Sequence, residues 1–216
     1  QNLLEIRPTF ILGVPRFYEK IMTRVSEAVA HSSSFKKKLF SWARGLGKKK
    51  REGMSEGRKL GAFFWLQYGL ADWLVYGKVK RRLGGRLRFC VAGGAALPKE
   101  IAEFFYDLGV MIYEGYGLTE TSPVISANRE GGFKFGTVGI PLKGVEVKIS
   151  EQGEIMTKSP CVMKGYWNKE EETKKVLKDG WFYTGDLGNL DSQGFLTITG
   201  RKKELIVTSG GKKVAP

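Results

Sequence analysis

The chain has 216 residues, which is long enough to bury a core. Of these residues, 42 % are hydrophobic and 12 % are aromatic, a composition that excludes intrinsic disorder. Its net charge of +14 suits anionic partners: nucleic acid, an acidic membrane surface or phosphorylated ligands. The sequence contains no uninterrupted run of about 18 apolar residues, so no transmembrane helix is expected.

Cysteine and histidine usage narrows the chemistry further. Cys90 and Cys161 are too few for a disulfide framework or a cysteine metal cluster, which favours a reducing compartment. His31 is the single histidine and stands beside a serine run, so we predict an exposed loop there and disfavour a Ser-His-Asp mechanism. The chain opens on QNLLEIRPTF, with neither a starting Met nor a signal-peptide pattern, and we expect a segment of a longer protein.

Two helices are predicted in the first third of the chain. Residues 15–30 place Pro15 in a first turn and repeat apolar residues at helical spacing. Residues 60–83 repeat the helical pattern. Between them, residues 35–59 predict an exposed helix, a loop and a further helix start, because four glycines weaken a continuous helix: Gly45, Gly47, Gly53 and Gly57.

The helix at residues 60–83 carries an apolar stripe with two interpretations. A core position is favoured for it, since a stripe at this spacing usually faces a core. A membrane-surface helix is the alternative, because the segment is aromatic near its start and basic at its end. Much of the net charge lies between Lys36 and Arg88, where a solvated helical face and a surface for anionic partners both remain open. The stripe consists of Phe63, Leu66, Leu70, Trp73 and Leu74, with Val75 and Tyr76 beside it.

The next stretch has the pattern of a βαβ unit. A strand is predicted at residues 86–93, a helix at 98–108 and a strand at 110–117. Glycine-rich stretches at residues 93–97 and 114–120 fall at the ends of the two strands, where ligands bind in such sheets.

From residue 124 onward the sequence is β-rich. A helix is predicted at residues 168–177, with Asn168 as its N-cap. The regular spacing of the strands indicates a small barrel or a distorted sheet, and we place a boundary near residue 126. The predicted strands cover residues 144–150, 153–159, 180–188 and 194–200.

Several polar residues in the glycine-rich stretches suit a nucleotide triphosphate. A tyrosine can cover a base by stacking, and glycine amides can approach phosphates closely. Thr119 offers a hydroxyl to a phosphate oxygen, and Glu120 is a hard oxygen ligand for Mg²⁺. Asp186 can accept bonds from two ribose hydroxyls, and Arg201 supplies a planar fork of donors. Taken singly, Asp186 is more often a turn residue, Arg201 a surface charge and Thr119-Glu120 a helix cap.

Five motifs in register resemble the adenylate-forming superfamily, and most closely its long-chain fatty acid–CoA ligases. The stretch from Asp179 to Lys203 resembles the fatty acyl signature of that group across its whole length. The resemblance covers nearly the whole chain. The motifs are VPRFYEKI (14–21), RFCVAGGAAL (88–97), YEGYGLTE (113–120), YTGDLG (183–188) and GRKKELI (200–206).

The resemblance implies roles for individual residues. Asp186 would hold the ribose hydroxyls, Arg201 would reach the ribose, and Glu120 would bind Mg²⁺. Lys203 falls at the hinge about which the family's C-terminal domain rotates. The adenine slot would be lined by Gly94, Ala95 and Ala96. The adenine and α-phosphate would be wrapped by Glu114, Gly115, Tyr116, Gly117, Leu118 and Thr119, with Tyr116 against the base.

The implied fold is α/β, the second half of the family's large N-terminal domain. We expect an α/β subdomain at residues 1–125 with a basic helical insertion at about 31–85, then a β-rich subdomain at 126–200 containing a small distorted barrel. Residues 201–216 would be the hinge and the start of a further domain. The implied reaction uses ATP and Mg²⁺ to convert a fatty acid to an acyl-adenylate, which CoA then captures.

Two family features have no match in the chain: the phosphate loop before VPRFYEKI and the catalytic lysine of the C-terminal domain. We therefore expect little ligase activity from this chain alone. An aryl or amino acid adenylating enzyme is one alternative, and a basic membrane- or nucleic-acid-binding module is another. The expected setting is cytoplasmic, with peripheral contact at the inner face of an anionic membrane and no nucleic-acid partner.

Overall fold

The computed structural model describes residues 2–202 and the backbone of residues 206–207 and 213–214. The chain divides into two compact units, unit 1 (Gln1–Tyr113) and unit 2 (Glu114–Pro216). The predicted subdomain division at residues 125 and 126 stays a prediction. Within the described residues, no helix is both long and apolar enough to cross a bilayer.

Unit 1 is mostly helical. The predicted helix at residues 15–30 is confirmed residue for residue, and His31 follows it in an exposed turn, as predicted. Tyr18 fixes this helix to the sheet, because its buried hydroxyl donates to the carbonyl of Val91 at 2.8 Å. The elements are α1 (Asn2–Ile6), β1 (Phe10–Gly13), α2 (Pro15–Ala30), α3 (Ser34–Ser55), α4 (Ala62–Ala71), a π-helical turn (Asp72–Tyr76), α5 (Gly77–Arg82), β2 (Phe89–Ala92), α6 (Lys99–Asp107) and β3 (Ile112–Gly117).

The glycine-rich stretch between α2 and α4 corrects the prediction made for it. Instead of a helix, a loop and a new helix start, the structure has one continuous helix of 22 residues, α3. Gly47 is buried there, and a β-carbon on it would overlap the backbone of Asp107 in α6. The glycine is therefore a point of close helix contact, whose packing outweighs the low helix propensity that sequence reasoning counted.

The apolar stripe of the next helix also differs from prediction. The favoured core position is wrong for most of the stripe: Phe63, Leu66, Leu70 and Trp73 are exposed, and Leu74 is half-buried. The inner face of the helix is a different set of residues. Ala71, Val75 and Tyr76 are buried, and the Tyr76 hydroxyl donates to the Ala43 carbonyl of α3 at 2.5 Å. Both faces are apolar, so periodicity alone could not select the buried one.

The predicted βαβ unit is confirmed. Strands β1 and β2 pair in parallel with Phe10 opposite Phe89, and α6 follows β2 after the GGAAL turn. Phe104 and Phe105 of α6 are buried, and the amide of Cys90 donates to the Met111 carbonyl at 2.8 Å. The carboxyl end of β2 therefore leads directly into the glycine-rich stretch.

Unit 2 is β-rich, as predicted, and packs around Tyr116, Ile125, Val138, Ile155 and Leu196. Most of β3, residues 114–117, belongs to unit 2, where β3, β4 and β5 pair antiparallel in chain order. A second antiparallel sheet runs in the order β10-β9-β7-β6. Closure into a barrel stays a prediction. The remaining elements are β4 (Val124–Ala127), β5 (Ile140–Pro141), β6 (Glu146–Ile149), β7 (Glu154–Lys158), α7 (Glu170–Val176), β8 (Leu177–Lys178), β9 (Trp181–Leu190), β10 (Leu196–Arg201), β11 (Ile206–Val207) and β12 (Lys213–Val214).

The start of α7 carries a smaller correction. Asn168 was the predicted N-cap, but Lys169 occupies that position and makes no side-chain cap bond. Asn168 instead adopts a left-handed conformation with φ of 52°, which asparagine tolerates better than most residues.

Candidate active site

The strand ladders of unit 2 are irregular at three places, and each place adjoins a predicted site residue or its neighbour. The β3–β4 register shifts between Tyr116 and Gly117, the β7–β9 register between Glu154 and Met156, and the β10–β9 register just before Arg201. Such bulges redirect side chains out of the regular pleat and are frequent beside active sites. The irregularities therefore mark one region of unit 2 as specialised.

The largest irregularity is the turn Thr184–Asp186 within β9. Glu154 pairs with Leu187 and Met156 with Tyr183, so three residues of β9 lie opposite one residue of β7. Gly185 has φ of 76°, a conformation that favours glycine. Because the turn leaves the ladder, side chains bond its backbone: the Thr184 hydroxyl donates to Ile155 O at 2.8 Å, and the Gly185 amide donates to Glu154 Oε1 at 2.9 Å.

This turn presents the carboxylate of Asp186, which is buried and bonded on both oxygens. The Tyr116 hydroxyl donates to Oδ2 at 2.7 Å, and Arg201 Nε lies 3.1 Å from Oδ1. A carboxylate has about four lone-pair sites, so two remain after these contacts. Asp186 can therefore still accept the two ribose hydroxyls that the sequence predicted for it.

Tyr116 has a partner that the sequence did not predict. Its side chain is packed in the core of unit 2, and burial together with the bond to Asp186 raises the pKa of its hydroxyl above the ordinary value. The hydroxyl stays protonated at neutral pH and serves as a fixed donor to Asp186. The predicted contact of the ring with a nucleotide base stays a prediction.

The loop after β3 positions Glu120. Gly117 is needed there, because a β-carbon on it would overlap the carbonyl of Pro123. The Thr121 hydroxyl accepts from the amide of Leu118 at 3.1 Å and donates to Pro123 O at 2.6 Å, which closes the turn. Thr119 is exposed at its tip, and Glu120 Oε1 accepts the Tyr166 hydroxyl at 2.9 Å.

A cavity of about 1010 Å³ joins these groups within unit 2. Glu120, Asp186 and Arg201 all line it, together with the apolar side chains of Leu118 and Phe182. Its volume is near the upper end of the usual range for ligand pockets, about 300–1,000 Å³. The structure thus brings together the carboxylates of Glu120 and Asp186 and the guanidinium of Arg201.

Two further residues belong to this site and were missed by sequence reasoning. Glu154 is buried, and its Oε2 lies 2.8 Å from the ammonium of Lys202, while its Oε1 holds Gly185. Tyr166 orients Glu120 from a loop 46 residues further along the chain. The GEI sequence at residues 153–155 marks Glu154 only weakly, because a glutamate at a strand start is ordinary.

The other predicted residues lie outside this cavity or outside the residues that the structure describes. Gly94, Ala95 and Ala96 are exposed after β2 in unit 1, and their place in an adenine slot stays a prediction. Glu114 is buried with its carbonyl accepting from Asn128 at 2.8 Å, and Gly115 is half-buried beside it. Lys203 lies outside the described residues.

The donor set at Glu120 fits Mg²⁺. Over the described part of the chain, no cluster of three or more histidine, cysteine or acidic residues forms a protein-only metal cage. Mg²⁺ usually takes one or two carboxylates and completes its shell with water and substrate phosphates. Glu120 is half-buried at the cavity wall with one oxygen held by Tyr166, which suits that mode of binding.

Comparison with known proteins agrees with this arrangement. A family model described as an AMP-binding enzyme matches residues 1–167. The chain belongs to this AMP-binding enzyme family. The matched residues include the loop of Thr119 and Glu120, and the Asp186 turn and Arg201 lie beyond them.

Two curated proteins with similar sequences are fatty-acid ligases. Long-chain-fatty-acid–CoA ligase FadD15 of Mycobacterium bovis (strain ATCC BAA-935 / AF2122/97) is 41 % identical, with 100 % of this chain and 36 % of that protein covered. Long-chain-fatty-acid–CoA ligase ACSBG2 of Gallus gallus is 38 % identical, with 100 % of this chain and 29 % of that protein covered. The chain therefore spans about a third of the length of these relatives.

Solved structures give the same fold. O-succinylbenzoate coenzyme A synthetase (MenE) of Bacillus subtilis, in complex with ATP and a magnesium ion, is 35 % identical with a TM-score of 0.55, covering 61 % of this chain and 30 % of that one. Anthranilate CoA ligase AuaEII, in complex with anthranoyl-AMP, has a TM-score of 0.64 over 99 % of this chain and 33 % of that one. Its identity of 21 % supports the fold alone.

Proposed function

We propose that this chain is part of an AMP-forming long-chain fatty acid–CoA ligase and carries the ATP-binding wall of its active site. The observation that carries the proposal is the shared cavity of Glu120, Asp186 and Arg201. The similarity to FadD15 and ACSBG2 along the whole chain supports a fatty acid as the substrate class. The proposed reaction is attack of the fatty carboxylate on the α-phosphate of ATP, followed by transfer of the acyl group from AMP to CoA.

Each predicted site residue has a proposed part in binding. Asp186 accepts the ribose hydroxyls while Tyr116 and Arg201 hold its carboxylate in place. Thr119 donates its hydroxyl to a phosphate oxygen, and Glu120 is the protein ligand of Mg²⁺. When bound, Mg²⁺ neutralises phosphate charge. Gly94 to Ala96 and the Glu114 to Leu118 strand are proposed to line the adenine.

Nucleotide binding to the 216-residue chain tests the first part of this proposal. We expect a fluorescent ATP analogue to bind, and Asp186→Ala to lower its affinity at least about tenfold, because two hydrogen bonds to a charged acceptor are lost. Asp191→Ala is the matched control, since Asp191 forms an ion pair with Lys134 on the surface of the same unit. Equal affinity of both variants and the parent chain would contradict the proposal.

The metal role is tested by Glu120→Gln. We expect the substitution to weaken binding measured with Mg²⁺ and to leave binding measured in EDTA unchanged, because only the charge of one ligand is removed. A similar loss under both conditions would assign Glu120 to the nucleotide itself.

We propose further that this chain alone has little ligase activity, because it spans only about a third of its relatives' length. ATP–pyrophosphate exchange with palmitate measures this, and robust exchange would contradict it. A different acid as substrate is the second candidate, because MenE is 35 % identical. A panel of fatty, aryl and amino acids on the longest available form of the protein would decide. The proposed setting is the cytoplasm, without a nucleic-acid partner.

A further inference from the structure

One helical face of unit 1 is exposed, apolar along its first half and basic along its second. We call it the α4–α5 face, and all its residues lie in α4, the π-helical turn and α5. Its exposed fractions are 72 % for Phe63, 73 % for Leu66, 49 % for Leu70 and 73 % for Trp73. Its basic half consists of Lys78, Arg81 and Arg82, all exposed.

Helical spacing places these residues on one side. Phe63, Leu66, Leu70 and Trp73 recur every three or four residues, as on an α-helix. The π-helical turn then widens the repeat, so that Lys78, five residues after Trp73, continues the same face. Arg81 and Arg82 follow three and four residues later. The cations therefore extend the apolar stripe along the helix.

The exposure of this face is fixed by contacts on the opposite side. Tyr76 is fully buried with its hydroxyl on the Ala43 carbonyl, and the Lys80 ammonium lies 3.0 Å from Asp72. Tyr68 packs against the Tyr76 ring with centroids 5.2 Å apart. Of these contacts, the bond of Tyr76 to Ala43 joins the helix to α3, so the helix cannot rotate its apolar stripe inward without breaking that bond.

A cationic, aromatic cavity lies beside the face. It has a volume of about 550 Å³, and its lining includes Lys50, Lys80, Trp65 and Tyr106. Lys50 stands 4.6 Å from the centroid of the Tyr68 ring. Burial lowers the pKa of Lys50, and the neighbouring charge of Lys80 lowers it further. Asp72 also lines the cavity and pairs with Lys80 at 3.0 Å. Two lysines and one aspartate leave the lining with one net positive charge, which suits a single anionic group.

The charge of the surrounding segment has the same sign. Between Lys36 and Arg88 the sequence has 16 cationic and three acidic residues, so this segment holds nearly all of the net charge of +14. Each Lys or Arg close to an anionic leaflet contributes about 1 kcal/mol of attraction. An exposed helix with aromatic and aliphatic residues beside lysine and arginine is the composition of helices that lie in the membrane interface.

We propose that the α4–α5 face docks on the surface of an anionic lipid bilayer. Phe63, Leu66, Leu70 and Trp73 enter the interface, while Lys78, Arg81 and Arg82 contact lipid phosphates. The Lys50–Lys80 cavity takes a lipid headgroup. This role goes beyond the ATP site and does not depend on it, because docking requires neither nucleotide nor catalysis.

Vesicle flotation of the 216-residue chain is the first test. We expect the chain to float with phosphatidylglycerol-containing vesicles and to stay in the pellet fraction with pure phosphatidylcholine. Trp73→Ser lowers the partition coefficient at least about tenfold, because one large apolar side chain no longer enters the interface. Trp167→Ser is the matched control, since Trp167 is 88 % exposed in unit 2 and lies outside the face.

Charge is tested by a pair of triple variants with the same net charge. Lys78→Gln/Arg81→Gln/Arg82→Gln lowers the partition coefficient about fivefold per cation at low salt. Lys164→Gln/Lys169→Gln/Lys174→Gln, exposed in unit 2, changes it by less than about fivefold in total. Circular dichroism confirms that each variant is folded.

Three results would overturn the proposal. The first is equal flotation with neutral and anionic vesicles. The second is equal loss in the face variants and their controls. The third is a Trp73 already shielded from acrylamide in a longer form of the protein without vesicles, which would show that another segment of the protein covers the face. Failure of ATP binding would leave all three measurements interpretable.

Discussion

Each unit of the molecule contains ion pairs whose aspartate or glutamate is buried, and the surroundings of these pairs differ. In unit 1, Arg51 of α3 lies 2.8 Å from Glu103 and 2.9 Å from Asp107 of α6, and the three side chains join two packed helices. In unit 2, Asp186 pairs with Arg201 and Glu154 with Lys202, and all four line a cavity. Arg51 is largely buried between its helices, whereas Arg201 and Lys202 are exposed at the cavity.

The difference follows from the local backbone. The unit 1 cluster joins side chains of two regular helices, and Lys99 of α6 is a further partner of Glu103. The unit 2 pairs lie where strand ladders are interrupted, so Glu154 must also satisfy the amide of Gly185. In this chain, the buried carboxylates of the candidate site are the ones that lie beside an irregular backbone and line a cavity.

The largest expected effect is on the unit 1 cluster. Arg51→Ala leaves Asp107 buried without its principal partner, and we expect it to lower the free energy of unfolding by about 3–5 kcal/mol. Chemical denaturation measures this. Lys48→Ala on the same helix is the control, because its pair with Glu52 is exposed and contributes less than about 0.5 kcal/mol. Equal effects would show that the cluster is not a stability element.

The same variant has an expected pH dependence. Burial raises the pKa of Asp107 above its ordinary value, and Arg51 opposes that rise. Without Arg51, the folded-state pKa of Asp107 is higher still, so the folded state binds a proton that the unfolded state does not. Stability of the variant therefore increases relative to the parent chain as pH falls toward the ordinary pKa of an aspartate. A stability deficit that is constant with pH would contradict this.

The second effect concerns two glycines of α3. A β-carbon at Gly47 would overlap the backbone of Asp107, so Gly47→Ala is expected to destabilise the chain by about 1–3 kcal/mol. A β-carbon at Gly45 meets nothing within 4 Å, so Gly45→Ala is expected to stabilise it by about 0.5–1 kcal/mol. Thermal or chemical denaturation of the two variants gives the signs, and a shared sign would contradict the proposed helix contact.

These glycines show where sequence reasoning stopped. Helix propensity is local, and it was right for α2 and α6, where pattern and packing agree. It was wrong for α3, because the contact that makes Gly47 favourable is made with a residue 60 positions away. The prediction that the apolar stripe on α4 faces the core was wrong for a related reason. The helix has two apolar faces, and only its packing on α3 decides which of them is buried.

The candidate site divides in the same way. Glu120, Asp186 and Arg201 were identified from motif spacing, and the structure places them at one cavity. Glu154 and Tyr166 were not, because their roles arise from a bulge and from a loop bond that leave no mark in the local sequence. Residues with a proposed ligand contact were therefore easier to predict than residues that hold them in place.

The unit 2 pairs should affect affinity more than stability. Glu154→Ala removes the acceptor for the Gly185 amide and releases the turn that carries Asp186, so nucleotide affinity is expected to fall about tenfold. Glu154→Gln keeps a carbonyl acceptor and is expected to remain within about threefold of the parent chain. Glu146→Ala, exposed on the neighbouring strand β6, is the control. If the Gln and Ala variants lose affinity equally, the pair with Lys202 rather than the bond to Gly185 is the essential contact.

The smallest effect is a difference in cysteine reactivity between the units. Cys90 is buried in β2, and burial raises the pKa of its thiol to about 12, whereas Cys161 is exposed in unit 2. A disulfide reagent at pH 8 should therefore modify one thiol quickly and the second only when unit 1 opens. Cys161→Ser should remove the fast phase and Cys90→Ser the slow one, and two fast phases in the parent chain would contradict the burial of Cys90. Because the slow phase reports the opening of unit 1 alone, Arg51→Ala should accelerate it and Glu154→Ala should not, which separates the two kinds of ion pair in a single measurement.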